Sequence, residues 1–273
     1  MKMNTRILTP LLSMLATIVC MLPQKSEATV VEFQTVMGPF EVNLYDNATP
    51  TTVANFLDYV NNGAYTSSIM HRSVPGFIVQ GGGFTFNLAW PATAVLSNAA
   101  ITNEPEFSNL RGTIAMAKTS LPDSATNQWF FNLADNSANL DLQNAGFTAF
   151  GEVVGNGMDV VDAIAALQRF NFGSPFNELP LRSDNGGDPD ATNLVIVTAV
   201  TISDPIVDSA GAAGLSPTPN TLINQPPPAP PPTATVGGGG GGGGSGGGTL
   251  GVLTLFLLLL TNVLARVTRR SFA

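Results

Sequence analysis

The only histidine of the chain, His71, lies beside Arg72 in the stretch MHRSVPGFIVQGGGF, residues 70–84. A hydrolase would need a nucleophile close to this histidine, and Ser73 would share a strand face with His71. No nucleophile-elbow motif surrounds Ser73, however. One histidine also cannot supply a two- or three-histidine metal site. The pattern therefore favours a structural, hydrogen-bonded role for His71.

Arg72 offers a different chemistry, because on a strand it alternates with His71 and points to the opposite face. Gln80 can reach back to hold its guanidinium, and Phe77 and Ile78 supply apolar surface between the two. Three residues of SATNQWFFNLADN, residues 124–136, share one face at a period of two: Gln128, Phe130 and Asn132. An apolar floor with a fixed guanidinium at its edge suits a neutral substrate that has one polar hinge atom.

Two other motifs lead to weaker hypotheses. Gly81–Gly83 lack the spacing and the following Lys-Ser/Thr of a phosphate loop, so a tight turn or bulge is favoured. The acidic loop 184–193 could offer oxygen ligands to calcium. Its spacing fits no known calcium loop, and a solvated acidic loop is favoured there and at residues 135–141.

The amino terminus has the features of a secretory signal peptide over residues 1–28. Lys2 and Arg6 precede an apolar stretch, and Ser26 and Ala28 are the small residues that a signal peptidase reads. An uncleaved membrane anchor is the alternative. Cys20, the only cysteine, lies inside this segment, so the mature protein is expected to contain no disulfide.

The carboxyl terminus divides into three segments. Residues 206–248 are predicted to be a disordered linker, proline-rich and then glycine-rich. Residues 249–265 carry no charge and would span about 25 Å as a helix, which predicts a transmembrane helix. The arginines of residues 266–273 predict a basic cytoplasmic tail. A glycine run, an apolar helix and a basic end resemble the GlyGly-CTERM sorting signal, which a rhomboid-type protease removes; a retained tail anchor is the alternative.

The charge balance excludes one class of partner. Residues 29–248 contain five Lys and Arg against eighteen Asp and Glu, a net charge of −13. Such an acidic surface repels nucleic acid, so no nucleic-acid function is expected.

The fold is predicted to be one all-β domain over residues 29–205. A hairpin is expected around Gly38-Pro39, and helices are expected after Thr49 and over residues 158–167. Many short β-type runs and only two helices predict a closed antiparallel barrel with a helix at each end.

The folded segment resembles the cyclophilin-type peptidyl-prolyl isomerases, in particular their periplasmic bacterial branch. The resemblance covers residues 30–202 and rests on five motifs in family order: MHRSVPGFIVQGGGF, RGTIAMAKT, DSATNQWFFNLADN, NLD and FTAFGEVVGNGMDVVDAI. It implies the family's eight-stranded antiparallel barrel capped by two α-helices.

The resemblance also implies a site. Arg72 matches the family's catalytic arginine and Gln80 the glutamine that supports it. The substrate-binding positions that match are Phe77, Ile78, Ala117, Lys118, Gln128, Phe130, Leu140 and Phe147. Asn139 stands where cytosolic relatives have a tryptophan tied to cyclosporin binding, so weak inhibition is expected. Phe147 replaces a histidine or tyrosine and keeps the pocket wall apolar.

The implied activity is isomerisation of Xaa-Pro bonds in proline-containing polypeptides, in the periplasm or at the cell surface, by a monomer that needs no metal or cofactor. Signal peptidase and a rhomboid-type protease are the implied processing partners, with the membrane reached through the C-terminal helix. A non-catalytic binding module or holdase of the same fold is the alternative function, and the polyproline segment acting as an intramolecular ligand is a further hypothesis.

Overall fold

A β-hairpin opens the domain in the computed structural model, which describes residues 29–205 and 215–223. Strands β1 (Val30–Thr35) and β2 (Gly38–Leu44) pair antiparallel, with a register that runs from Val30 opposite Asn43 to Thr35 opposite Gly38. The turn lies at Val36 and Met37 rather than at Gly38-Pro39. Gly38 begins β2 with φ of +123°, a left-handed conformation that glycine adopts without strain.

The other strands follow along the chain as β3 (Ser68–Ile69), β4 (Arg72–Val74), β5 (Ile78–Gly81), β6 (Phe84–Thr85), β7 (Thr93–Ala94), β8 (Thr113–Met116), β9 (Trp129–Asn132), β10 (Ala149–Val153), β11 (Gln168–Phe170), β12 (Leu179–Leu181) and β13 (Ile196–Asp204). Eleven of them form one antiparallel sheet in the order β4-β5-β9-β8-β10-β2-β1-β13-β3-β6-β7, and β11 pairs with β12 in a separate ladder.

The closed eight-stranded barrel with two helices is not confirmed. Within the described residues the curled sheet has eleven strands, and its order runs from β4 at one end to β7 at the other. Two physical causes account for the difference in strand number. The short β-type segment around His71 is interrupted and forms two strands, β3 and β4. Strands β6 and β7 are only two residues long, too short to show an alternation of apolar and polar residues.

Three helices lie in the described residues: α1 (Pro50–Asn61), α2 (Ser137–Leu140) and α3 (Gly157–Ala165). Pro50 starts α1 as predicted, but the Thr49 side chain does not cap it. The Glu104 carboxylate accepts hydrogen bonds from the Thr51 and Thr52 amides at 3.1 and 2.8 Å instead. A distant acid therefore satisfies the exposed amides at the start of α1.

The described interior contains three apolar clusters: a large aromatic core, a second cluster that includes Phe176 and Leu179, and a smaller third group. Trp129, Phe33 and Phe131 lie at the centre of the large core, with ring centroids 5.2 to 5.6 Å apart. The smaller group consists of Ile78, Ala115, Phe130, Leu140, Phe147 and Ala149. It is named here the proline-site cluster after the binding role that the family resemblance predicts for four of these residues. It lies where β5, β9, β8 and β10 are neighbours, on the same face of the sheet as Arg72 and Gln80.

The segment 215–223 lies within the predicted linker and contacts the domain. Pro219 forms an antiparallel β-bridge with Phe107. The Ser108 amide donates to the Thr218 carbonyl, and the Asn220 amide donates to the Glu106 carbonyl, both at 2.8 Å. Proline and small polar residues give this segment no hydrophobic periodicity, so its contacts with the domain could not be predicted from its sequence.

Among the described residues, none of the helices has the length and apolar character needed to span a membrane, and no group of three or more metal-ligating side chains occurs. The predicted signal peptide over 1–28, the predicted transmembrane helix over 249–265 and the predicted basic tail over 266–273 lie outside the described residues.

Candidate active site

Arg72 lies on the edge strand β4, and its side chain is held between the side chains of Gln80 and Glu178. Its cross-strand partner is Gln80 on β5. The Arg72 Nη1 atom lies 3.5 Å from Gln80 Oε1, a long contact, while Gln80 Nε2 donates to Gln128 Oε1 at 2.8 Å. Gln80 therefore links the guanidinium to Gln128, and the structure brings these three predicted residues together.

Glu178 is the second neighbour of Arg72, and the sequence analysis missed it. Arg72 Nε donates to Glu178 Oε2 at 3.0 Å, with the two side chains 12% and 32% exposed. The Glu178 carbonyl also accepts a hydrogen bond from the Ser73 amide at 2.9 Å. Glu178 follows Arg72 by 106 residues, in a loop with no motif, so no pattern in the sequence could have linked the two.

Burial and charge act in opposite directions on Arg72. Burial lowers the pKa of its guanidinium, and the Glu178 carboxylate opposes this effect. A guanidinium is effectively always protonated in proteins, so the group stays charged at neutral pH. The side chain is thus a fixed, partly desolvated cation.

The predicted pocket walls form one buried group. Ile78, Phe130, Leu140 and Phe147 are each at most 1% exposed and belong to the proline-site cluster, and Phe77 packs against it. The rings of Phe130 and Phe147 meet edge to face at 5.9 Å. The cluster and the arginine share one face of the sheet, because Arg72, Gln80 and Phe130 are successive cross-strand partners on β4, β5 and β9.

Lys118 has a role beyond the main-chain pairing that the resemblance implied. Its ammonium donates to the carbonyl oxygens of Asn144 and Gly146 and lies 4.9 Å from the centre of the Phe147 ring. Burial lowers the pKa of Lys118 to about 8. The Lys118 side chain therefore connects the loop before Phe147 to the segment that follows β8. The Ala117 amide donates to the Gln128 carbonyl at 2.9 Å.

A cavity of about 220 Å³ opens beside the arginine. Five predicted site residues line it: Arg72, Gln80, Ala117, Lys118 and Gln128. Residues that the sequence analysis did not select complete the lining, among them Val95, Ser97 and Thr119. The other five predicted residues belong to the proline-site cluster or pack against it. The ten predicted site residues therefore fall into two groups, one that lines the cavity and one that forms the apolar cluster.

His71 and Ser73 do not form a hydrolytic pair. His71 is 2% exposed and packs edge to face on Phe84 at 4.9 Å. Burial, and then the charge of Arg72, lower its pKa to about 3, so the imidazole is neutral. The Ser73 hydroxyl is fully buried and makes no hydrogen bond within the part of the chain that the structure describes. These contacts agree with a structural histidine.

Comparison with known proteins gives a consistent result. Residues 30–183 match the family described as cyclophilin type peptidyl-prolyl cis-trans isomerase. The chain is 47% identical over 148 residues to a peptidyl-prolyl cis-trans isomerase of Acinetobacter baylyi, covering 53% of this chain and 76% of the relative. It is 46% identical over 157 residues to peptidyl-prolyl cis-trans isomerase A of Dickeya dadantii, covering 56% and 79%.

A third relative, peptidyl-prolyl cis-trans isomerase B of Escherichia coli, is 43% identical over 144 residues, covering 50% of this chain and 85% of its own. The family match spans more than half of the chain, and it includes every candidate residue from Arg72 to Glu178. The chain therefore belongs to the cyclophilin-type peptidyl-prolyl cis-trans isomerases.

Proposed function

We propose that the chain accelerates Xaa-Pro isomerisation with Arg72 as its catalytic residue, and that it acts on proline-containing polypeptides in the bacterial cell envelope. The observation that carries the mechanism is the fixed guanidinium of Arg72, held by Glu178 and Gln80 at the edge of the proline-site cluster.

The chemistry follows from the nature of the amide. Rotation about an Xaa-Pro bond breaks the resonance of the amide, at a barrier of roughly 20 kcal/mol. The twisted state places a lone pair on the prolyl nitrogen, which the planar states lack. A hydrogen bond from Arg72 to this nitrogen stabilises the twisted state alone, and differential stabilisation of this kind lowers the barrier.

The apolar residues are proposed to hold the proline ring. Ile78, Phe130, Leu140 and Phe147 offer a wall without polar side-chain groups, and the peptide on either side of the proline would lie along Ala117 and Lys118. Gln128, hydrogen-bonded to Gln80, would contact the substrate main chain. Because none of these groups transfers a proton or forms a covalent bond, the reaction needs only binding and electrostatic stabilisation.

The experiment that tests this mechanism is a protease-coupled peptide assay on the full chain and on its Arg72→Ala and Arg72→Lys variants. A charge-assisted hydrogen bond contributes about 1.5–3 kcal/mol, so we expect Arg72→Ala to lower kcat/KM by roughly 10- to 150-fold. Arg72→Lys should recover only part of the rate, because a lysine lacks the guanidinium fork. Wild-type turnover by Arg72→Ala would refute the role of Arg72.

The location is proposed from the termini. The predicted signal peptide over 1–28, the predicted linker over 206–248 and the uncharged segment over 249–265 support export and attachment, with or without later removal of that segment by a sorting protease. Fractionation of cells that express the chain with a tag before Gln225 would test this. Recovery in the cytosol with residues 1–28 uncleaved would contradict export.

A further inference from the structure

We propose that residues 215–223, named here the strap, are a positioning element of the proline site: they hold Phe107 and the loop 141–147, and with them the Leu140 and Phe147 wall. This inference rests on the proposed function, since it concerns how the same site keeps its shape. The strap lies beyond residue 183, where the family match ends.

The first link runs through Phe107. The strap pairs with the segment around Phe107 through two main-chain hydrogen bonds, which together form the antiparallel bridge between Phe107 and Pro219. The Ser108 hydroxyl adds a contact to the Pro219 carbonyl at 3.3 Å. Phe107 itself packs against the proline-site cluster. Removal of the strap would therefore leave the Phe107 segment, which contacts that cluster, without its pairing partner.

The second link runs through Asn220, which is 7% exposed. Its Nδ2 donates to the Asp141 carbonyl at 3.1 Å, while its Oδ1 accepts from the Leu222 and Ile223 amides. One side chain thus shapes the end of the strap and joins it to the loop. Asp141 is the residue directly after Leu140, so the hydrogen bond acts at the start of the pocket wall.

The loop passes this constraint to Phe147. The Asp141 carboxylate accepts hydrogen bonds from the main chain and side chain of Asn109 at 2.8 and 2.9 Å. Asn109 Nδ2 also donates to the Phe147 carbonyl at 3.0 Å, and the Phe147 amide donates to the Leu140 carbonyl at 2.7 Å. The strap, Asn109 and the loop therefore form one hydrogen-bonded unit around Phe147.

Gly146 marks the point where these parts meet. It has φ of +74°, and a methyl group there would lie 2.8 Å from Pro105, 2.9 Å from the Asp141 carbonyl and 3.0 Å from Ile223. The strap is thus in contact with the residue next to Phe147 as well as with the residue next to Leu140. Lys118 binds the Gly146 carbonyl from the cavity side, so the loop is held from both sides.

The test compares Asn220→Ala with wild type in the full chain, using the Kd and kcat for a short Xaa-Pro peptide. Loss of the hydrogen bond to Asp141 should raise Kd by about fivefold, the equivalent of one net hydrogen bond. The kcat should change less than about twofold, because the Arg72 contacts are intact. Asn193→Ala is the matched control: Asn193 is also buried, and its side chain accepts from the Asp190 amide in another loop.

A second measurement keeps the proposal testable if Asn220→Ala does not fold. Coupling between two sites is reciprocal, so peptide binding to wild type should slow hydrogen exchange at the Ser108 and Asn220 amides. A Kd for Asn220→Ala equal to that of wild type, or an equal rise in Asn193→Ala, would overturn the proposal, as would unchanged exchange on binding. Failure of the proposed function would appear differently, as an absence of turnover in wild type.

Discussion

Glu178→Ala is the perturbation that tests how Arg72 is positioned. The Glu178 carboxylate accepts from Arg72 Nε at 3.0 Å, and Gln80 gives only a long contact at 3.5 Å on the other side. Without the carboxylate, the guanidinium can take other rotamers and its charge has lost its nearest counter-ion. We expect the catalytic hydrogen bond to be made less often, with little effect on the apolar pocket.

The magnitude follows from burial. A fully exposed ion pair contributes at most about 1 kcal/mol, and a charge-assisted hydrogen bond about 1.5–3 kcal/mol. The pair lies between these limits, since Arg72 is 12% and Glu178 is 32% exposed at the side chain. A loss of about 1–2 kcal/mol in transition-state stabilisation corresponds to a roughly 5- to 30-fold fall in kcat/KM. Glu178→Gln keeps an acceptor and should lose about threefold.

The assay is kcat/KM for a Xaa-Pro tetrapeptide, measured for Glu178→Ala in both the wild-type and the Arg72→Ala background. If Glu178 acts through Arg72, Glu178→Ala should not lower kcat/KM any further in the Arg72→Ala background. Asp162→Ala is the matched control, because it breaks the exposed pair between Arg111 and Asp162 away from the site. Equal effects of Glu178→Ala in the two backgrounds would refute the reasoning.

Three further predictions concern the buried groups of the site. Since the pKa of His71 is lowered to about 3, the unfolded chain binds a proton below about pH 6.5 that the folded chain does not. The free energy of unfolding should therefore fall as the pH drops from 6.5 towards 3, and urea titrations should show a smaller fall in His71→Asn, whose turnover at pH 7 should stay near wild type. The pKa of Lys118 is lowered to about 8, so the unfolded chain holds the proton more tightly between about pH 8 and 10.5. As the pH rises through that range, the free energy of unfolding of wild type should increase relative to that of Lys118→Met. Parallel pH profiles of the two free energies would contradict the lowered pKa of Lys118. Phe147 is 1% exposed, so Phe147→Ala should cost about 3–5 kcal/mol in urea unfolding and raise the KM for proline peptides, and a KM equal to that of wild type would exclude Phe147 from the pocket wall.

The elements with a clear periodicity could be predicted from the sequence. The apolar spacing of Val53, Phe56 and Val60 indicated α1, and all three are buried. The same holds for Val161 and Ile164 of α3. The strand count could not be obtained in this way, because β6 and β7 are two-residue strands whose pairing is decided by tertiary contacts.

The candidate site shows the same division. The residues within one motif, Arg72, Gln80 and Ile78, could be selected because alternation on neighbouring strands fixes their faces. Glu178 and Asn220 could not, because each reaches the site from a loop or strap far along the chain. Their contacts with the site form only when distant parts of the chain fold together, and the local sequence does not encode those contacts.

The central claim is that Arg72 stabilises the twisted amide rather than the bound peptide, and exchange spectroscopy by NMR tests it most directly. The rate of cis–trans exchange of a bound Xaa-Pro peptide would be measured on wild type and on Arg72→Ala, each at a concentration that saturates the peptide. We predict that Arg72→Ala binds with a Kd within about fivefold of wild type while the bound exchange rate falls at least tenfold, the lower limit for one charge-assisted hydrogen bond. An Arg72→Ala variant that binds the peptide and exchanges it at the wild-type rate would contradict the account.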